Sequence, residues 1–408
     1  MKDSGNVWYG KIPYTWELNK IKYLTTIRSE SAIYNPEEDK YIGLENVNGY
    51  SDNVVETDTE YDYSMQSICK KDDILFSKLR PYLAKVFIAK HNSFCTGEFI
   101  VFSSFNGDRR YLFYSILNPK FIENINSSTY GAKMPRANPQ YIFDQQICLP
   151  PLDEQQRIAE FLDRECGKID GLKADIQAQI DTLEQYKRSV ITEAVTHSLN
   201  PSAPMKECSV SWARQIPQHW KVMPNKHLMT KIKNICPIYK GEDILSLTMY
   251  GVIVRDLDAG GKMPSSFNGY QYIKKGNLLM CLFDIDVTPR CIGIIKQNGI
   301  TSPAYSQFKM KKIANARFYY YYYLMLDYTK ELLHLAKNLR HSLTEDQLGA
   351  IKQLVPPLDE QQEIADYLDN KCAEIEQIIA DKKSQIEMLD GYKKSLIFEY
   401  VTGKKEVV

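Results

Sequence analysis

The chain has no Gly-x-x-x-x-Gly-Lys-Ser/Thr loop and no Gly-x-Gly-x-x-Gly, so it lacks both glycine-rich turns that cradle nucleotide phosphates. His-Glu-x-x-His, Cys-x-x-Cys and paired Cys/His spacings are missing too, which removes the common zinc frameworks. The Asn/Asp-Pro-Pro-Tyr/Phe motif of amino-methyltransferases does not occur. Glu38-x-Lys40 has no Pro-Asp upstream to complete a nuclease site, and Asp284 and Asp286 read as solvated acids rather than metal ligands. The most apolar-looking stretch, Phe318 to Leu326, is half tyrosine, too short and polar to cross a bilayer. Its run Tyr319–Tyr323 could stack bases, but at helical spacing it reads as a part-buried helix face. The opening Met1-Lys2-Asp3-Ser4-Gly5 has no signal-peptide core. Nine scattered cysteines fit reduced, buried thiols and a cytoplasmic location better than a disulfide framework.

A length of 408 residues suits two or three domains. The strongest positive signal is an internal repeat. Pro150-Pro151-Leu152-Asp153-Glu154-Gln155-Gln156 recurs as Pro356-Pro357-Leu358-Asp359-Glu360-Gln361-Gln362, and the match continues without a gap to Thr196 and Thr402. In those 47 positions 25 are identical. Upstream, Trp8, Ile12, Pro13 and Trp16 match Trp212, Ile216, Pro217 and Trp220. Each copy therefore opens with Trp-x-x-x-Ile-Pro-x-x-Trp and closes on the repeated segment, while the sequence between has diverged.

The repeated segment reads as a long helix. Two prolines precede it, and Asp153 with Gln156 makes a capping-box-like start. Leu162, Ile169, Ile176, Leu183 and Val190 recur every seven residues, with Ile158, Leu172 and Tyr186 at the other seam position. The second copy repeats this as Leu368, Ile375, Leu389 and Leu396 with Ile364, Ile378 and Tyr392, broken at Lys382. Gly171 and Gly391 also fall inside these helices. Such stripes predict two helices of about 40 residues, roughly 60 Å each, that pair as a coiled coil.

The expected layout is a head at 1–149, a helix and linker at 150–199, a second head at 200–355 and a second helix at 356–408. Both heads read as mixed α/β (α+β). Strand-like runs include Asp73–Phe76, Lys85–Ile88 and Phe99–Phe102, then Asn277–Met280 and Cys291–Ile295. Helical stretches follow at Arg109–Leu117 and Arg317–Leu339. The formal charge is zero overall but uneven. The first head holds 17 Lys/Arg and 18 Asp/Glu, net −1; the second holds 21 and 11, net +10. The helical segments hold 6 against 10 and 7 against 12, net −4 and −5. A basic, aromatic-rich head suits a polyanion, though a basic domain docking on an acidic protein gives the same charge pattern.

Two diverged α/β heads, each followed by a Pro-Leu-x-Glu-Gln-Gln helix with apolar heptads, resemble the specificity subunit of a type I restriction–modification system. The resemblance covers essentially the whole chain and rests on Leu149–Ala159 and its twin Val355–Ala365. It implies that each head is a target recognition domain for one half of a bipartite site in double-stranded DNA. It implies an antiparallel pairing of the helices, in a pseudo-twofold repeat, that sets the gap between the half-sites. It implies docking of modification (methyltransferase) subunits, two in number, and of restriction (translocase–nuclease) subunits, with no membrane partner. S-adenosylmethionine, ATP and Mg²⁺ then belong to those partners, and this chain carries no cofactor and no catalytic residue. Because the heads differ, the two half-sites should differ. The competing readings are a coiled-coil scaffold and a stand-alone DNA-modifying enzyme.

Candidate DNA contacts are polar and basic side chains at matching places in the heads. They are Lys78, Arg80 and Tyr82, with Lys133, Arg136 and Asn138, in the first, and Arg290, Asn338, Arg340 and His341 in the second. Arg136 and Arg340 lead, since a guanidinium fork matches the guanine edge.

Overall fold

The computed structural model describes every residue except 52, 56–62, 258–263, 289, 337–340 and 408. The chain forms two compact units, Met1–Gln177 with Lys383–Val408, and Ala178–Lys382. In the first unit a four-stranded antiparallel sheet is built from β1 (Thr25–Ile27), β2 (Ile74–Ser77), β3 (Val86–Ile88) and β4 (Phe99–Phe105), in the order β1-β4-β2-β3. Helix α1 (Arg109–Leu117) follows, and then the first long helix, α2 (Leu152–His197), of which residues up to Gln177 belong to this unit. In the second unit β5 (Met229–Ile232), β6 (Leu278–Met280), β7 (Ile292–Ile294) and β8 (Ser306–Met310) repeat that order as β5-β8-β6-β7. Helix α3 (Ala316–Tyr328) comes next, and then the second long helix, α4 (Leu358–Val401), of which residues up to Lys382 belong to this unit. The register is kept as well: Ile74 faces Phe102 and Ile88, as Leu278 faces Phe308 and Ile294.

Alternation along these strands divides the core. Ile74 and Phe76 join the main core with α1, while Leu75 points into a smaller cluster with Phe87 and Val101. Leu278 and Met280 do the same against Leu279. A strand with side chains buried on both faces reads as an unbroken apolar run. The expected helix from Arg317 ends earlier, at Tyr328, and a 3₁₀ turn follows at Glu331–Leu335. Tyr319, Tyr321, Tyr322 and Tyr323 are buried, so they pack the core and are not available to stack bases.

The two landmarks of each repeat meet. The strand before α2, Gln146–Leu149, pairs antiparallel with Glu17–Lys20, and the strand before α4, Lys352–Val355, pairs with Lys221–Pro224. This sets the buried Trp16 indole N–H on Glu154 Oε2 at 3.0 Å and the buried Trp220 N–H on Glu360 Oε2 at 3.0 Å. Gln155 accepts from Asp108 N (3.0 Å) and donates to Pro150 O (2.8 Å); Gln361 accepts from Asn315 N (2.7 Å) and donates to Pro356 O (2.9 Å). About two turns on, Asp163 receives Arg110 and Tyr114 Oη, as Asp369 receives Arg317 and Tyr321 Oη. The Glu-Gln-Gln signature is thus the seat of each head on its helix.

The long helices pair antiparallel within each unit. In the first, Asp170 takes two bonds from Lys393 (2.7 and 2.8 Å) and Lys173 pairs with Asp390. In the second, Lys187 pairs with Glu376 and Lys382 donates to Gln179 Oε1 at 2.5 Å. Leu162, Ile169, Ile176, Val190, Leu368, Ile375 and Leu396 are buried as expected, and Leu183 and Leu389 are half-buried. The other seam keeps Ile158 and Ile364 buried but departs from expectation at its remaining positions. Leu172, Tyr186, Ile378 and Tyr392 are 50, 49, 45 and 58% exposed. Ile180, Ile191, Ile379 and Ile397 are buried in their place. A straight helix drifts off a strict seven-residue repeat, and each head takes up part of the apolar face, so the buried stripe shifts sideways along the helix.

Candidate nucleic-acid interface

In the first head the chain leaving β2 does not turn tightly into β3. It makes a loop with Arg80 and Ala84 in the left-handed region (φ 49° and 48°), bracketing a 3₁₀ turn at Pro81–Leu83. Non-glycine residues held there are uncommon and persist only where surrounding contacts enforce them. The enforcement comes from the loop before the signature strand: Arg80 N donates to Pro135 O (2.8 Å) and Ala137 N to Lys78 O (2.9 Å). That second loop is itself closed by paired backbone bonds between Tyr130 and Arg136. The two segments chosen from sequence therefore form one composite edge.

On that edge Arg80, Tyr82 and Lys133 are exposed, beside exposed Tyr130 and Met134. Arg136 is held by Glu98 through bonds of 2.5 and 3.2 Å. The Lys78 ammonium donates to Gly97 O at 2.7 Å. Asn138 caps the short helix Pro139–Asp144, accepting from Gln140 N at 2.9 Å.

The second head forms its edge the same way. The loop after β6 meets the segment before the signature strand through Leu343 N to Leu282 O (2.8 Å) and Ile285 N to His341 O (3.3 Å). Asp284 and His341 adopt positive φ (47° and 42°), and His341 Nε2 lies 3.9 Å from Asp286. Arg290 turns inward: it donates to Ile292 O and Met249 O, each at 3.1 Å, and to Tyr320 Oη. Buried Asp327 accepts from Cys291 N (2.8 Å) and pairs with Lys330, which also donates to Thr288 O (3.1 Å). These bonds make the loop base rigid. Tyr250, at 77% exposure, and Val287 stand out from this region; sequence reasoning passed over both, and a large apolar residue in a turn is the signal that could have found them. Asn338 and Arg340 lie outside the described residues. Among the described residues no group of three or more metal-ligating side chains forms, and no helix is long and apolar enough to cross a membrane.

A family model described as the type I restriction modification DNA specificity domain matches residues 13–182 and 291–388. The type I restriction enzyme MjaVIII specificity subunit of Methanocaldococcus jannaschii is 26% identical over 318 residues, 74% of this chain and 71% of that protein. The putative type I restriction enzyme MjaX specificity subunit of the same organism is 24% identical over 98% of this chain and 95% of that one. A chain solved in work on complex assembly and conformational transition of the type I R-M system shares the fold. Its TM-score is 0.70 at 14% identity, over 97% of this chain and 100% of that chain.

Proposed function

This chain belongs to the type I restriction–modification DNA specificity family, and from that premise we propose how its parts share the work. It is the sequence-recognition subunit of such a system and has no catalysis of its own. Each head reads one half of an interrupted, asymmetric site in double-stranded DNA through its composite loop edge. The observation that carries this reading is a duplicated sheet, identical in strand order, that holds two differently furnished edges. Rigid frames position a reader, and loop side chains decide what it reads.

In the first head Arg80, Tyr82 and Lys133 are the free contacts. Arg136 engages a base by exchanging Glu98 for a guanine edge, whereas Lys78 and Asn138 shape the loops. In the second head His341 stands on the edge, Arg290 positions the loop, and Asn338 and Arg340 complete the set. The working layout is a first recognition domain at 1–149, a spacer at 150–199, a second recognition domain at 200–355 and a second spacer at 356–408.

The exposed apolar positions on the helices are duplicated. By the pairing register, Leu172 falls at the level of Tyr392 in the first unit, and Ile378 at the level of Tyr186 in the second. Two matching patches suit two methyltransferase subunits, one per unit, which supply S-adenosylmethionine chemistry; restriction subunits supply ATP- and Mg²⁺-dependent steps.

The test uses the complex of this chain with its methyltransferase. Arg80→Ala should weaken cognate binding by about 5- to 150-fold, corresponding to about 1–3 kcal/mol for one lost bidentate base contact. The loss should vanish on DNA whose first-head half-site is already scrambled. Equal losses on cognate and scrambled DNA would contradict base reading by this edge.

A further inference from the structure

The ends of the two sheets away from the reading loops share one backbone but differ in their acidic residues. In the first head the turn into β2 is Lys70-Lys71-Asp72-Asp73, and in the second the turn into β6 is Lys274-Lys275-Gly276-Asn277. The bonds are the same: Lys71 N to Asn92 Oδ1 and Lys275 N to Asn298 Oδ1, both 2.9 Å. Asp72 N to Ala89 O (2.7 Å) likewise matches Gly276 N to Ile295 O (2.8 Å). Asp72 and Gly276 both have positive φ, 71° and 88°.

In the first head carboxylates take up much of the positive charge at this end. Asp73 holds Arg28 (2.7 Å), Glu30 holds Arg28 (2.6 Å) and Lys70 (3.0 Å), and Asp72 lies 3.7 Å from Arg109. In the second head Glu30, Asp72 and Asp73 correspond to Asn234, Gly276 and Asn277, so those carboxylates are gone. By the strand register, Ser104 and Asn106 become Lys309 and Lys311, and Lys312 follows directly. With Lys274, Lys275 and Lys296 this makes six exposed lysines, none in an ion pair among the described residues. Two adjoining hollows of about 900 and 1150 Å³ run between them and share Lys275, Gly276 and Met310. Glu242 and Asp243 sit on one wall, engaged by Tyr272 Oη and Gln297 Nε2.

We propose that this lysine groove is a sugar–phosphate backbone site, present in the second head alone, that anchors the complex on DNA independently of sequence. The inference rests on the reading of the chain as a DNA-recognition subunit. Six lysines without acidic partners attract a polyanion strongly, and each phosphate neutralised releases counterions. A protein partner fits less well, because lysine is depleted at protein interfaces and aromatic residues enriched, whereas this groove offers Tyr272 alone. The strands between groove and reading loop are three residues long, about 10 Å. One duplex can therefore touch both ends. The second head anchors while the first, whose lysines at this end stand among carboxylates, contributes by reading.

The experiment measures DNA affinity against salt for the methyltransferase complex of the full chain, wild type and Lys309→Gln/Lys311→Gln/Lys312→Gln. The expected result is a log–log slope smaller by up to about 2.7, from about 0.9 per phosphate contact. It should be the same on cognate and random DNA, with half-site preference unchanged. A wild-type slope retained by the variant overturns the proposal. So does loss of methyltransferase assembly with DNA binding otherwise intact, which would assign the groove to an acidic protein. A wild-type complex that binds no DNA would instead refute the underlying functional reading. A second triple variant, Lys274→Gln/Lys275→Gln/Lys296→Gln, should act in the same direction, guarding against a local fault in one.

Discussion

Replacing Glu360 by Ala should cost the second unit more than Glu154→Ala costs the first, although both glutamates occupy the same place in the repeat. Glu154 accepts from Trp16 Nε1 at 3.0 Å. Glu360 accepts from Trp220 Nε1 (3.0 Å), His219 Nε2 (2.7 Å) and Ser198 Oγ (2.6 Å). Both indoles are buried, so each substitution strands an N–H without an acceptor, about 1–3 kcal/mol. In Glu360→Ala two further bonds to a carboxylate go. The serine and histidine are less buried and recover water, so their share is about 1 kcal/mol together. The totals are then about 2 kcal/mol for Glu154→Ala and about 3 for Glu360→Ala. For a unit of this size about 3 kcal/mol lowers Tm by about 6–12 °C. Scanning calorimetry of the full chain, with hydrogen exchange to assign each transition to a unit, reads this out. Glu360→Gln keeps an acceptor for Trp220 and should recover about half. A Glu360→Ala transition shifted no further than that of Glu154→Ala, or Gln no better than Ala, would refute the bond-by-bond argument.

Acid should destabilise the chain. Glu30 is held below the usual carboxylate range by Lys70 and Arg28, Asp144 by Lys22 and Gln140, and Asp366 by Gln362 and Arg317. Depressed values in the folded state mean a contribution complete above about pH 5 and lost as pH falls through the folded values. Urea midpoints should drop between about pH 5 and pH 3, and a flat profile would count against these pairs. Leu172→Glu with Tyr392→Glu should leave folding intact but remove one of two methyltransferase subunits, read as mass by light scattering. Retention of both would show that the patch is not a docking site.

The helices and their pairing were legible because seven-residue apolar spacing and a gapless repeat survive in the sequence. The signature's job was not. Glu154 and Gln155 look like solvated helix-start residues, and only the strand pairing of Glu17–Lys20 with Gln146–Leu149 shows them clasping Trp16 and Asp108 N. The shared sheet of the heads was hidden because burial tolerates exchange among Ile74, Leu278, Phe102 and Phe308 as long as alternation is kept. Exposure of Leu172 and Tyr392 was missed because spacing along one helix does not say which neighbour covers it. Sequence placed its candidate contacts in two loops of each head, and these loops meet in the fold. It could not tell a free side chain such as Arg80 from an engaged one such as Arg290, whose partners Met249 and Tyr320 are far apart in the chain.

The division of the chain between its units also sets an order of completion during synthesis. The second unit is one continuous stretch, Ala178–Lys382, whereas the first needs Lys383–Val408 to close. Tyr111 Oη donates to Val401 O (3.3 Å) and Lys404 Nζ to Tyr9 O (2.7 Å) across 290 and 395 residues. At about 5–20 residues per second, the ribosome needs roughly 10–40 s to traverse the second unit. For that time the apolar stripe of Leu162, Ile169 and the first core around Trp16 waits on the last turns of α4. The head made first is therefore the one finished last, and the nascent chain is most in need of protection before its own end arrives.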